Sequence, residues 1–162
     1  MKQKDEIIAL FSRIKKFSNE EENDVVIPEM MDYFFDITES EDDSDFVLLF
    51  YCLDDSTKRF DMTQFVCEGI LSFYYNRKSP YFFKILLENI YLIYPNAIQK
   101  TKNILMVILN DNQEARNLLC ESLESANKES LSIFKEIYLL MIEEDNTYSD
   151  ECILSKLNMT SS

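Results

Sequence analysis

The chain has no histidine and no tryptophan, a single glycine, Gly69, and three prolines, Pro28, Pro80 and Pro95, in 162 residues. Each shortage excludes something. Without histidine there is no side chain whose unperturbed pKa lies near neutrality for acid–base work, nucleophile activation or metal ligation. The Glu-x-x-His motif of di-iron bundles cannot occur either. One glycine cannot build a phosphate-cradling loop, nor supply the positive-φ turns that a many-stranded fold keeps needing. No apolar run approaches the ~18 residues of a membrane span, and the start MKQKDEIIALF carries charges where a signal peptide is apolar. The four cysteines, Cys52, Cys67, Cys120 and Cys152, stand far apart with no C-x-x-C pair. These features lead to the expectation of a cytoplasmic, reduced protein. Cys52, Cys67 and Cys120 are then small buried hydrophobes and Cys152 is exposed.

What the chain has in quantity is aromatic and acidic side chains. Its 12 Phe and 9 Tyr are each worth roughly 1.5–3 kcal/mol when buried, and its length suits one domain with a real core. The expectation is a single α-helical domain over residues 1–157 and a frayed tail at 158–162. The stretch Ser79–Leu109, SPYFFKILLENIYLIYPNAIQKTKNILMVIL, organises it. Ser79 and Pro80 suit a helix start, and Pro95-Asn96 should stop that helix and begin another. Phe82, Phe83, Leu86, Leu87, Ile90 and Ile93 form one apolar stripe, and Tyr81, Ile85, Leu92 and Tyr94 widen it until the helix must be covered on more than one side.

Elsewhere the pattern is equally helical. Asp5–Phe17 reads as an amphipathic first helix, and Pro28 opens a short second one to about Ile37, with Met30, Met31, Phe34, Phe35 and Ile37 as its apolar residues. Cap-type residues then stand before each apolar run at Ser44, Asp61, Ser79, Asn96, Asp111 and Asn127, at intervals of 17, 18, 17, 15 and 16. Asp61…Gln64, Asn96…Gln99 and Asp111…Glu114 complete capping boxes. Six helices of about 11–16 residues should follow, in pairs repeating every 31–35 residues, the size of a stacked helix-pair unit. A short α-solenoid is the fold expected, with an irregular up-and-down bundle as the alternative. The tail from Asn146 has Cys152, Ile153, Leu154 and Leu157, enough for one closing turn or short helix.

Charge is uneven. Sixteen basic and 30 acidic residues give a net −14. Residues 1–17 carry +3, residues 18–61 carry −13 from 15 acids and 2 bases, and residues 62–162 carry −4. Such a field repels nucleic acid and anionic membranes and attracts a basic protein. The run ESEDDSD (39–45) alternates acids but lacks the central glycine and terminal glutamate of a calcium loop, so it reads as solvated, and no metal or cofactor is expected.

The segment LNDNQEARNLLCESLESA, Leu109–Ala126, resembles the half-repeat of HEAT-type solenoids, in which a turn Asp is followed five residues later by an Arg; here these are Asp111 and Arg116. The acidic, histidine-free, helical chain as a whole resembles the small immunity proteins that bacteria make beside polymorphic or contact-dependent toxins. That resemblance implies a non-enzymatic monomer that neutralises a toxin domain, plausibly a basic nuclease, by covering its substrate surface with carboxylates in place of phosphates. Glu39, Glu41, Asp42, Asp43, Asp45, Asp54 and Asp55 are the candidate carboxylates. Tyr51 is the candidate aromatic contact, with Tyr33, Tyr74 and Tyr75 as further aromatics to test. Simple solubilisation is the plainer account of the same acids. An adaptor solenoid holding a peptide or partner helix is the second functional reading, and an enzyme built on carboxylate pairs the third.

Overall fold

The computed structural model describes residues 5, 6, 8, 9, 12, 26–58, 60–77, 81–110 and 112–159. Among these residues there are helices and 3-10 turns and no strand, so the protein is all-α. None of its helices is long and apolar enough to cross a membrane, among the described residues. Residues 5, 6, 8, 9 and 12 are helical; the rest of the expected first helix and the acidic run at 18–24 lie outside the described residues. The packing divides the chain into two compact units, Met1–Ser79 and Pro80–Ser162.

In the first unit, α1 (Val26–Glu39) packs against α3 (Phe60–Arg77) and buries Tyr33 and Ile37, one turn apart. Phe35 lies on the opposite side, 52% exposed. With 3.6 residues per turn, a helix that buries 33 and 37 turns 35 outward. The helix expected from Ser44 is far shorter than 11–16 residues. A 3-10 turn at Asp43–Phe46 leads into α2 (Val47–Phe50), and Asp45–Phe50 are all buried. The Asp54 carboxylate then accepts hydrogen bonds from the Ser56 N–H at 2.9 Å and the Ser56 Oγ at 2.6 Å. That local turn competes with helix for the same backbone donors. On α3, Val66, Ile70 and Phe73 face inward.

The second unit consists of α4 (Phe82–Glu88), α5 (Ile98–Leu109), α6 (Gln113–Ser125), α7 (Lys128–Glu144) and α8 (Glu151–Lys156). All six stripe residues between Phe82 and Ile93 are buried, while Tyr81 and Tyr94 are exposed. The helix does not run on to Tyr94. At Asn89 the side-chain Nδ2 donates to the Ile85 carbonyl at 2.9 Å, and the chain tightens into a 3-10 turn at Ile90–Leu92. Two cap positions also move: Ala97 rather than Asn96 precedes α5, and Asn112 rather than Asp111 caps α6, accepting from the Ala115 N–H. Asn127 caps α7 through the Ser130 N–H, as its position predicts. Asp61 sits inside α3, and Ser79 lies outside the described residues. The main contacts skip one helix: α4 packs on α6, α6 on α8, and α5 on α7.

The tail is more structured than its polarity suggests. Tyr148, Ile153, Leu154 and Leu157 are buried. Asn158, at φ 52°, closes α8 with hydrogen bonds from its own N–H to Ser155 and from the Met159 N–H to Leu154, the Schellman arrangement with asparagine at the left-handed position. Asn158 and Met159 are thus held in place, and residues 160–162 lie outside the described residues. Cys120 is buried as expected but is paired with Cys152 in a disulfide, with Cα atoms 6.2 Å apart, and Cys52 and Cys67 are half-buried rather than buried. The spacing of 32 residues gave no hint of the disulfide, because only the docking of α8 on α6 brings Cys120 and Cys152 together. Cys152 is exposed, as expected.

Tyr138, fully buried on α7, donates to the Tyr148 carbonyl at 2.7 Å and accepts from the Asp150 N–H at 3.0 Å. Burial first, and the nearby Asp150 charge, push its phenol from 10.0 up to about 12, against the pull of the Asp150 N–H and Arg116. The folded chain therefore keeps the phenol protonated where the unfolded chain ionises it. The resulting stability is complete below pH ~10 and lost between pH ~10 and ~12, a change on the order of 2–3 kcal/mol. Tyr138→Phe should lower stability at pH 8 by about 1–3 kcal/mol, through two unsatisfied buried groups. Urea unfolding at pH 8 and pH 11 is the check: the gap between parent and variant should narrow at pH 11, and an equal gap at both would refute the assignment.

Candidate partner-binding surface

The candidate acids flank the buried run Asp45–Phe50, which anchors them. Phe46 is completely buried, stacked on Phe73 with ring centroids 4.3 Å apart and edge-on to Phe50 at 5.2 Å. From that anchor the chain leaves on two sides. One side is the end of α1 and the turn after it, with Glu39, Glu41 and Asp42 exposed and Asp43 half-buried. The other is the turn after α2, with Asp54 half-buried and Asp55 exposed.

Asp45 does not share that surface. It is 8% exposed and accepts a hydrogen bond from the Ser40 hydroxyl at 2.5 Å. Ser40 Oγ in turn accepts from the Asp42 N–H at 3.2 Å, and the Asp45 N–H donates to the Asp42 carbonyl at 3.0 Å. Asp45 thus braces the acidic turn from inside. Sequence alternation alone could not distinguish it from its neighbours, since inward and outward acids look alike in ESEDDSD. Among the aromatics, Tyr51 and Tyr74 are half-buried, Tyr33 is 5% exposed and belongs to the core, and Tyr75 is exposed with its ring 5.1 Å from Tyr74.

Phe35 is a surface aromatic that sequence reasoning did not single out. Asp32, Phe35, Asp36 and Glu39 share the exposed face of α1, following the i, i+3, i+4, i+7 pattern of one helix side. A large aromatic ring therefore stands among three carboxylates and leads into the Glu41–Asp42 turn. The signal was readable: fixing Tyr33 and Ile37 inside is enough to send Phe35 outside.

The segment that resembles a HEAT half-repeat forms α6 and its flanks. Arg116 donates from Nε to the Leu109 carbonyl and from a terminal nitrogen to the Thr147 carbonyl, each at 3.1 Å, and its guanidinium stands 5.8 Å from the centre of the Tyr148 ring. Asp111 lies outside the described residues. Among the described residues there is no group of three or more acidic or cysteine side chains placed to hold a metal. Comparison with family models, with curated proteins and with solved structures finds no match to this chain.

Phe46 is the residue on which the arrangement of the acidic turn turns. Phe46→Ala should destabilise the first unit by about 3–5 kcal/mol, read by denaturant unfolding, and should make the 40–43 turn a preferred site of limited proteolysis. A loss below ~1 kcal/mol with unchanged cleavage would mean that the anchor lies elsewhere.

Proposed function

We propose that the chain is an immunity-type inhibitor that binds a basic toxin domain, plausibly a nuclease, through the acidic face of the first unit. The observation that carries this reading is Phe35, half exposed on a helix side otherwise made of Asp32, Asp36 and Glu39. Carboxylates at fixed positions speed the approach of a cationic surface, and charge of this kind acts on association more than on final affinity. Affinity needs a desolvated anchor, and aromatic side chains fill that role most often. Glu39, Glu41, Asp42, Asp43, Asp54 and Asp55 supply the field; Asp45 supports the turn from within; Phe35 joins Tyr51 as the aromatic contact. Inhibition then follows from occupying the surface that the toxin offers to phosphates, without chemistry by this chain.

A second reading, an adaptor that cradles a peptide or partner helix, is favoured by one observation. In the second unit α4, α6 and α8 pack in one succession and α5 and α7 in another, as stacked helix pairs do. The two readings assign the binding surface to different units, so substitutions separate them.

The test uses a basic nuclease domain encoded immediately upstream of this chain. Reversing Glu39, Glu41 and Asp42 together to lysine should slow association at least about tenfold at low salt and flatten its salt dependence. Phe35→Ala should leave association nearly unchanged and speed dissociation by about tenfold or more. Unaltered kinetics in both variants, with the nuclease still inhibited, would move the binding surface away from α1.

A further inference from the structure

We infer that the Cys120–Cys152 disulfide is a redox latch that decides whether α8 stays docked on α6. The bond joins a buried residue to an exposed one: Cys120 is 5% exposed on α6, and Cys152 is an exposed residue in the first turn of α8. It spans 32 residues and encloses the whole of α7. Apart from the disulfide, α8 is held by its packing on α6. The helix has six residues, well below the length at which a helix persists by itself. Beyond Asp150 its attachments are the buried side chains of Ile153, Leu154 and Leu157 and an ion pair between Lys156 Nζ and Glu124 Oε1 at 2.5 Å. Glu124 is 61% exposed, and surface pairs of this kind contribute little.

A helix this short has little stability apart from its docking, so it opens locally once the docking is weakened. The disulfide suppresses opening by restricting the open state, because the undocked segment remains tied to α6. When the bond is reduced the restriction disappears, and α8 samples the undocked state. The part of α6 around Cys120 is then exposed to water.

The chemistry is thiol–disulfide exchange with a small external thiol. A thiolate attacks the Sγ of Cys152, the more exposed residue of the pair, the Cys120–Cys152 bond breaks, and Cys120 leaves as a thiolate that takes a proton from water. A second external thiol attacks the mixed disulfide and releases Cys152; two external thiols become one external disulfide, and the chain gains two thiols. A thiolate leaving into apolar surroundings is a poor leaving group. Exchange therefore runs faster through conformers in which α8 has already lifted, and reduction and undocking reinforce each other. Oxidation of the pair by an external disulfide reverses both.

The test is amide hydrogen exchange on the full chain, oxidised and after dithiothreitol, with thiols counted under denaturing conditions. Dithiothreitol should raise the count by two. Exchange at Ile153, Leu154 and Leu157 should speed up by about tenfold or more, while Phe134 and Ile137 on α7 change much less. Cys152→Ser should reproduce the reduced pattern and ignore dithiothreitol. An unchanged thiol count in protein first treated with oxidised glutathione would overturn the proposal. So would equal exchange at α8 in both forms, and so would a rise at Phe134 and Ile137 as large as at α8, since that means global unfolding.

Discussion

Helix ends without glycine are the constraint from which much of the second unit follows. The last four carbonyls of a helix have no partner within it, and the commonest local remedy is a glycine in the left-handed conformation. This chain has one glycine, buried within α3, and Asn158 is the only non-glycine residue at positive φ among those described. The residues after α5, α6 and α7 leave in extended conformations instead. Side chains from other elements then satisfy several of the orphan carbonyls. Ser130 donates to Leu87 at the end of α4, and Tyr148 and Arg116 donate to Met106 and Leu109 at the end of α5. Tyr138 and Arg116 do the same for Tyr148 and Thr147 in the turn that follows α7.

Because these donors sit on other elements of the unit, upstream or downstream, its helices are tied to one another rather than capped one by one. Lys102, buried on α5, adds an ion pair with Glu144 at the far end of α7, which places a cation beside carbonyls and carboxylates that the helix dipole would otherwise leave unbalanced. At the next residue the backbone and side-chain hydrogen bonds from Thr147 hold the exposed Asp145 carboxyl below its ordinary range. The result is a segment, residues 145–159, that is polar in composition yet required by the core. Within it α8 is docked on α6 both by buried apolar side chains and by the disulfide.

The first unit solves a different problem, how to keep many like charges in fixed places. Its answer is a short apolar root. Phe46 and the five buried residues around it in Asp45–Phe50 occupy the interior, so the turns on both sides can carry acids without needing to pack them. Among the acids whose burial is described, Asp45 is the one turned inward, where the Ser40 hydroxyl meets its carboxylate. A carboxylate buried without a donor would be far more destabilising. Order in the turn matters for recognition, because a partner that meets a preset array loses less entropy on binding than one that must organise it.

The sequence by itself determined the helical class, the excess of acid in the first third, the buried stripe from Phe82 to Ile93, the cap at Asn127 and the apolar residues that close the tail. All of these depend on neighbours within about four positions, where periodicity and capping chemistry act. Tertiary structure alone decided that Asp45 turns inward, that α4 stops at Asn89 and that Cys120 meets Cys152. Arg116, picked out for its place in a repeat, owes its contacts with Leu109 and Thr147 to the same cause. Each of these rests on a partner distant in sequence or on competition between a local turn and a continuing helix, and composition does not rank such contests: their outcome is set by which polar groups the packed core leaves unsatisfied.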